Sequence, residues 1–323
     1  MPRRVLLICL GLFVAISALA IIFGGPSTPH PMGSVTDPFG SVDFSDLPPL
    51  AEFTARDGTK LAYRSYPSAA ATAGKGSVVL VHGSSATSSS MHLMAKAFSA
   101  AGYQTFALDI RGHGASGRKG QIAYVGQLED DLVDFIHAVS PPQPVTLAGF
   151  SSGGGFALRF AGSKQQSLFQ SYLFLAPFLS PDAPTTRPDS GGWAGVGLPR
   201  IIAIATLNRF GIHTFNSLPV LRFAVNEKAK AILTPEYSYA LTMNFGPQRD
   251  YLGNIRSMHQ PFRVLVGAND EVYYPDRFAE VLKKAGKDTP VTMIPSVDHI
   301  QLILSPAAFE KSIETLKDLR SQQ

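Results

Sequence analysis

One pentapeptide has the residue types and the spacing expected of a serine nucleophile. Residues 149–153 read Gly-Phe-Ser-Ser-Gly, which matches the G-x-S-x-G turn that lifts a serine hydroxyl above the end of a strand. A residue on so sharp a bend has a crowded backbone with positive φ, so the positions two before and two after it must be small. Gly149 and Gly153 meet this condition for Ser151, whereas Ser152 would have a phenylalanine two positions before it. The spacing therefore predicts Ser151 as the nucleophile.

A serine nucleophile needs a general base and an acidic group that orients the base. In a sheet whose strands alternate with helices, these partners follow the serine as first the acid and then the histidine, each at the end of a later strand. Asp270 follows the predicted strand 262–267, and His299 follows the predicted strand 291–295. We therefore predict a catalytic triad of Ser151, Asp270 and His299.

Four other side chains compete for these roles. Glu271 is the alternative to Asp270 as the acid. Asp298 lies directly next to the predicted base, but adjacent side chains rarely point toward each other, so we expect it to shape the loop. His82 and His113 precede the serine and lie in predicted turns, where we expect both to have structural roles.

The predicted mechanism also needs an oxyanion hole made of two backbone N–H groups. One is expected from Ser152, the residue after the nucleophile. The other is expected from the loop after the predicted strand 77–82, where Gly83 allows the backbone to approach closely, and we assign it to Ser84. Loss of one such donor typically costs about 3–4 kcal/mol of transition-state stabilisation.

The elements that would position these residues alternate along the chain. Short apolar runs of the kind buried in parallel sheets are followed by helix-like segments, which predicts an α/β fold with a doubly wound, mostly parallel sheet. The predicted strands are 77–82, 103–110, 145–150, 171–176, 262–267 and 291–295, after a hairpin of 51–55 with 61–67. The predicted helices are 90–101, 122–139, the segment after Ser151, 276–285 and 306–320.

The alternation is interrupted at residues 177–260, a segment with several prolines. Two apolar pieces within it, 201–210 and 218–232, resemble helices. We therefore predict an inserted, mainly helical cap.

The N-terminus forms a separate segment. Two arginines precede an uncharged apolar run that would span roughly 28 Å as a helix, close to the thickness of the hydrocarbon core of a bilayer. Residues 1–23 are therefore predicted to be an uncleaved membrane anchor or a signal peptide cleaved after Ala20, with the body exported in both cases. Residues 24–50, rich in Pro, Gly and Ser, are expected to link this segment to a body at 51–323.

The composition argues against nucleic-acid binding and against chemistry based on cysteine. The 28 basic and 24 acidic residues leave a formal charge of +4, and no basic run stands out, so we expect no nucleic-acid partner. Cys9 is the only cysteine, so the body has no disulfide, cysteine nucleophile or cysteine-bound metal. We expect no cofactor and no metal.

Jointly, these motifs resemble the α/β-hydrolases, and most of all the group of monoglyceride lipases, lysophospholipases and serine aminopeptidases. The resemblance covers residues 51–320 and rests on ordered motifs: the His82-Gly83 loop, the turn at 109–117, the serine turn, Asp270 and His299. It implies an α/β-hydrolase fold with a cap after the sixth core strand.

The resemblance further implies a serine hydrolase that cleaves carboxylic esters through an acyl-enzyme. The large apolar side chains of the cap are expected to pack it onto the core or to line an acyl pocket; they are Trp193, Leu198, Ile201, Phe210, Phe215, Leu221, Phe223, Met243 and Phe245. One alternative is an exported serine aminopeptidase or amidase, in which Glu227 or Glu236 would hold the substrate amine. A non-catalytic binding protein on the same fold is a second alternative.

Overall fold

The computed structural model describes residues 3–69, 74–188 and 192–322. Within them, eight strands form a central sheet and three form a small separate sheet. The strands of the central sheet are β1 (Leu50–Thr54), β2 (Lys60–Tyr66), β3 (Ser77–Val81), β4 (Gln104–Leu108), β5 (Val145–Phe150), β6 (Ser171–Leu175), β10 (Phe262–Gly267) and β11 (Val291–Ile294). Those of the small sheet are β7 (Ala194–Val196), β8 (Pro219–Phe223) and β9 (Glu236–Ser238).

The central sheet has the order β1-β2-β4-β3-β5-β6-β10-β11. The hairpin strands β1 and β2 are antiparallel to their neighbours, and every pair from β4 to β11 is parallel. All residues of β3, β5 and β6 are buried, as expected for the apolar centre of a parallel sheet. The predicted α/β-hydrolase sheet is therefore confirmed, with strand ends that differ from the prediction by at most two residues.

Helices flank this sheet and form part of the cap. They are α1 (Arg3–Phe23), α2 (Gly33–Thr36), α3 (His92–Ala100), α4 (Gln127–Val139), α5 (Ser152–Ala161), α6 (Leu198–Arg209), α7 (Tyr239–Asn244), α8 (Tyr251–Arg256), α9 (Phe278–Lys284) and α10 (Pro306–Ser321). Helices α3 and α10 contact each other and the sheet, whereas α5 contacts β5, β6 and α8.

Helix α4 begins five residues later than the predicted helix 122–139. Gly126, just before its first residue, has φ 111° and ψ −12°, a left-handed conformation through which a right-handed helix cannot continue. The side chain of Gln127 then accepts a hydrogen bond from the Ala123 N–H at 2.6 Å. The turn chemistry at the glycine therefore outweighs the helical apolar pattern before it.

The cap contains strands as well as helices, and the helix predicted at 218–232 is wrong. Residues Pro219–Phe223 form β8, which pairs antiparallel with β7 and β9. Val220 is buried with Ile204 of α6 and Tyr239 of α7, and Phe223 is buried in the main core, so their apolar character reflects packing of this sheet against its neighbours. The second predicted piece, 201–210, does form a helix, α6.

The N-terminal helix α1 packs against cap helix α6. The Arg200 guanidinium donates to the carbonyls of Ile21 and Ile22 at 2.8 and 3.1 Å, and the Phe13 and Phe210 rings meet edge to face. Among the described residues, none of the helices combines the length and the apolar character required to cross a membrane. The membrane-spanning anchor expected at residues 1–23 is therefore not supported by the structure.

The segment after α1, expected to be a linker, follows the surface of the body. The Met32 N–H donates to the Ala224 carbonyl at 3.2 Å, and Asp46 lies 3.0 Å from Nε2 of His92 on α3. These contacts attach residues 24–50 to both the cap and the core.

Candidate active site

Ser151 occupies a strained turn between β5 and α5. It has φ 54° and ψ −119°, a conformation that costs free energy for a residue with a side chain. Its N–H donates to the Leu175 carbonyl at 2.9 Å, and its carbonyl accepts from Gly155 and Phe178, each at 3.0 Å. Hydrogen bonds on both sides therefore hold the serine in this conformation.

The two glycines of the pentapeptide are required because backbone carbonyl groups lie where a Cβ would be. A Cβ at Gly149 would overlap the carbonyl of Gly153, and a Cβ at Gly153 would overlap the carbonyl of His82. Neither glycine has a positive φ. Small size at both positions lets the start of α5 pack directly against β5 and the end of β3.

The structure brings Ser151, His299 and Asp270 into one line of hydrogen bonds. His299 Nδ1 lies 2.8 Å from Asp270 Oδ2, and His299 Nε2 lies 3.1 Å from Ser151 Oγ. An ionised carboxylate only accepts, so Nδ1 carries the proton and Nε2 presents its lone pair to the serine hydroxyl. This arrangement can transfer the serine proton to the imidazole.

The three clustered carboxylates, Asp270, Glu271 and Asp298, have different hydrogen-bond partners. Asp270 is 1% exposed, and its second oxygen accepts the Val272 and Tyr273 N–H groups at 2.8 and 2.7 Å. Glu271 accepts the backbone N–H of His299 at 3.0 Å. Asp298 accepts the Gln301 N–H at 2.7 Å. Asp270 thus faces the imidazole, while the other two carboxylates shape the backbone around it.

His82 and His113 are fully buried, and each is hydrogen-bonded to the backbone. His82 Nδ1 lies 2.7 Å from the Gly83 carbonyl, and its Nε2 accepts the Ile110 N–H at 3.3 Å. Burial lowers the pKa of His82, and burial likewise lowers the pKa of His113. Both rings are therefore neutral near pH 7.

The two N–H groups predicted for the oxyanion hole are those of Ser84 and Ser152. Ser152 is the first residue of α5, where N–H groups lack partners within the helix. The loop of Ser84 passes beside Ser151, because a Cβ at Gly83 would lie 3.4 Å from that of Ser151. In the part of the chain that the structure describes, no hydrogen bond engages the backbone N–H of Ser84 or Ser152. Both groups remain available to an oxyanion.

Tyr273 is a site residue that the sequence analysis missed. Its ring is 3% exposed and meets the His299 imidazole edge to face, with 5.3 Å between centroids. Burial raises the pKa of Tyr273, so its hydroxyl is a neutral phenol at this site. The one sequence signal for this residue is its place three positions after the predicted acid.

Comparison with solved structures agrees with this fold. A soluble variant of monoglyceride lipase from Saccharomyces cerevisiae, in complex with a substrate analogue, superimposes with a TM-score of 0.65 at 19% identity, covering 85% of this chain and 95% of that chain. The monoacylglycerol lipase of Paleococcus ferrophilus superimposes with a TM-score of 0.57 at 18% identity, covering 81% and 99%.

Comparison of sequences defines the family. A monoacylglycerol lipase of Mycolicibacterium smegmatis is 32% identical over 109 residues, which span 32% of this chain and 38% of that protein. The family described as serine aminopeptidase, S33, matches residues 72–303, most of the chain. The chain therefore belongs to this serine aminopeptidase S33 family of α/β-hydrolases.

Proposed function

We propose that the protein is a serine hydrolase that cleaves carboxylic esters through an acyl-enzyme. The observation that best supports this proposal is the line of hydrogen bonds from Ser151 through His299 to the buried Asp270. His299 takes the serine proton as Oγ attacks the ester carbonyl, and the N–H groups of Ser84 and Ser152 stabilise the negative oxygen.

The remaining steps use the same groups. Collapse of the tetrahedral intermediate breaks the bond to the leaving alcohol, and His299 donates the proton to that alcohol. A water molecule then attacks the acyl-enzyme, with His299 again accepting and returning a proton, so that the acid leaves and Ser151 is regenerated. The reaction consumes one ester and one water and yields one acid and one alcohol.

An ester substrate is favoured over an aminoacyl substrate by the charges of the cap. Peptidase chemistry on a free amine would need an available carboxylate. Glu227 is 87% exposed at its side chain and pairs with Lys230. Glu236 lies 3.0 Å from Arg222 and is 43% exposed. Both candidates thus already pair with a basic neighbour, and the similarity to monoacylglycerol lipases supports a lipid-derived ester.

We expect kcat/KM for p-nitrophenyl octanoate to exceed that for the acetate by at least about tenfold. Each methylene buried with the acyl chain contributes about 0.8 kcal/mol, so two buried methylenes suffice for this ratio. The buried cap residues Phe223 and Phe245 are the apolar groups that we propose to contact the chain. Rates are measured below the micelle-forming concentration of each ester.

Matched substrates and variants separate the alternatives. Aminoacyl-p-nitroanilides should be hydrolysed much more slowly than either ester, and Glu227→Gln and Glu236→Gln should leave ester hydrolysis unchanged. A rate that stays flat as the acyl chain lengthens would remove the lipid-ester assignment. Faster hydrolysis of the anilides, lost in either glutamine variant, would favour an aminopeptidase.

We also propose that residues 1–23 direct the hydrolase body out of the cytoplasm. The support is the pair of arginines before an uncharged apolar run, a pattern that keeps the N-terminus cytoplasmic. A reporter fused after Gln323 should be active only when it is designed to work outside the cytoplasm. N-terminal sequencing of the native protein then distinguishes retention of the segment from cleavage, for which the first residue would be Ile21. Activity of a cytoplasm-dependent reporter would contradict export.

A further inference from the structure

The loop that follows β3 is held by the cap. We call residues 83–85 the oxyanion loop. The Trp193 indole N–H donates to Ser84 Oγ at 2.9 Å. Ser85 and Thr234 exchange two bonds: Ser85 Oγ donates to the Thr234 carbonyl at 2.7 Å, and the Thr234 N–H donates to the Ser85 carbonyl at 2.8 Å. The cap residue Tyr237 accepts the Ser85 N–H at 2.5 Å.

The Tyr237 hydroxyl is hydrogen-bonded both to this loop and to the buried imidazole of His113. His113 Nδ1 lies 3.2 Å from the Ile110 carbonyl, so Nδ1 carries the proton and Nε2 is an acceptor. Tyr237 therefore donates to His113 Nε2, at 2.6 Å, while it accepts from Ser85. The phenol is 2% exposed, and burial keeps its pKa well above the ordinary value, so it can fill both roles at once.

The backbone of Ser85 makes this support necessary. Its φ is 66°, in the left-handed region that a residue with a side chain rarely adopts. Such a conformation persists only where the surroundings impose it. Here the residues that bind the N–H, the carbonyl and the hydroxyl of Ser85 all belong to the cap. The position of the preceding Ser84 N–H therefore depends on cap contacts.

We propose that Trp193 and Tyr237 are positioning residues for the oxyanion hole. Through Ser84 Oγ and the Ser85 N–H, they hold the oxyanion loop so that the Ser84 N–H faces the oxygen that becomes negative. The proposal rests on the acyl-transfer function proposed above. Because the oxyanion is absent from the bound substrate and forms only as Oγ attacks, in the transition states and the tetrahedral intermediate, loss of either contact should lower kcat and leave substrate binding nearly unchanged.

The test combines steady-state kinetics with an oxyanion mimic. Tyr237→Phe and Trp193→Phe should each reduce kcat for p-nitrophenyl octanoate by about tenfold, because a donor is displaced rather than deleted, with KM within about twofold. Affinity for a trifluoromethyl ketone, whose hemiketal oxyanion occupies the same hole, should fall by the same factor as kcat/KM. Tyr239→Phe, a substitution of the same kind in a buried cap residue of α7, should change neither quantity.

A double-mutant cycle identifies the contact itself. Ser84→Ala removes the acceptor of the Trp193 bond and keeps the backbone N–H. Ser84→Ala and Trp193→Phe should each reduce kcat, and the double variant should be no slower than the slower single variant, since both remove one bond. Thermal unfolding verifies that each variant is folded.

The outcomes separate this inference from the proposed function. If the wild type hydrolyses esters and the variants match it, or if kcat and KM change in proportion, the positioning role is wrong. Additive effects in the cycle would exclude action through the Trp193–Ser84 bond. If the wild type neither hydrolyses esters nor reacts with a fluorophosphonate, the proposed function fails and this inference fails with it.

Discussion

Replacement of Ser151 by alanine should abolish ester hydrolysis and covalent labelling by a fluorophosphonate. Oγ of Ser151 is the hydroxyl oxygen that lies 3.1 Å from the basic nitrogen of His299. Removal of a nucleophile of this kind lowers kcat by about a million-fold, because the remaining members of the triad act only through it. Activity-based labelling followed by peptide mass spectrometry measures the loss directly and does not require the natural substrate.

The neighbouring serine is the matched control. Ser152 contributes only its backbone N–H to the proposed oxyanion hole, so Ser152→Ala should still be labelled at a rate close to that of the wild type. Both variants should unfold at nearly the wild-type temperature. Label found on Ser152 of the wild-type protein, or retained in Ser151→Ala, would show that the nucleophile is assigned to the wrong residue.

Asp270→Asn should lower kcat by about ten-thousand-fold, the effect known for loss of a triad carboxylate. The hydrogen bonds around Asp270 explain why an amide at this position should lower kcat so strongly. One carboxylate oxygen accepts two backbone N–H groups, so the amide oxygen must stay there and the amide NH₂ must face His299. An NH₂ donor requires a lone pair at Nδ1, which places the proton on Nε2. The imidazole can then no longer accept the proton of Ser151.

Asp298 and Glu271 provide control substitutions of the same kind, in which a carboxylate is replaced by an amide. In Asp298→Asn and Glu271→Gln, an amide oxygen can still accept the N–H that the carboxylate accepts now. We expect kcat to change by only a few fold in each. Steady-state kinetics on p-nitrophenyl esters ranks the three variants. A larger loss for either control than for Asp270→Asn would mean that the acid of the triad is not Asp270.

The local pattern around Ser151 predicted its geometry because the constraint is local. A buried strand, a sharp turn and a helix follow one another without interruption over residues 145–161. Gly149 is needed for a contact inside that unit, and Gly153 for the close approach of the His82 carbonyl at the end of β3. Asp270 and His299 were predictable for a related reason. Parallel strands of one sheet end at the same edge, so residues that follow β10 and β11 arrive near the residue that follows β5.

The cap was less predictable because its partners are distant in sequence. The apolar residues of Pro219–Phe223 fit a helix or a strand, and only pairing with β7 and β9 decides between them. At the start of α4, Gly126 adopts a left-handed conformation that the helical spacing around it does not reveal. In both segments, backbone conformation depends on interactions that the local apolar pattern does not record.

The sequence by itself determined the order of the strands and helices, the turn that carries Ser151 and the positions of an acid and a base at later strand ends. Only the tertiary structure decided which of the clustered carboxylates faces the imidazole, because Asp270, Glu271 and Asp298 differ in the N–H groups that surround them. It also decided what holds the oxyanion loop. Trp193 and Tyr237 lie 109 and 152 residues from their partners in that loop, and bonds over such separations form only when the cap packs onto the core.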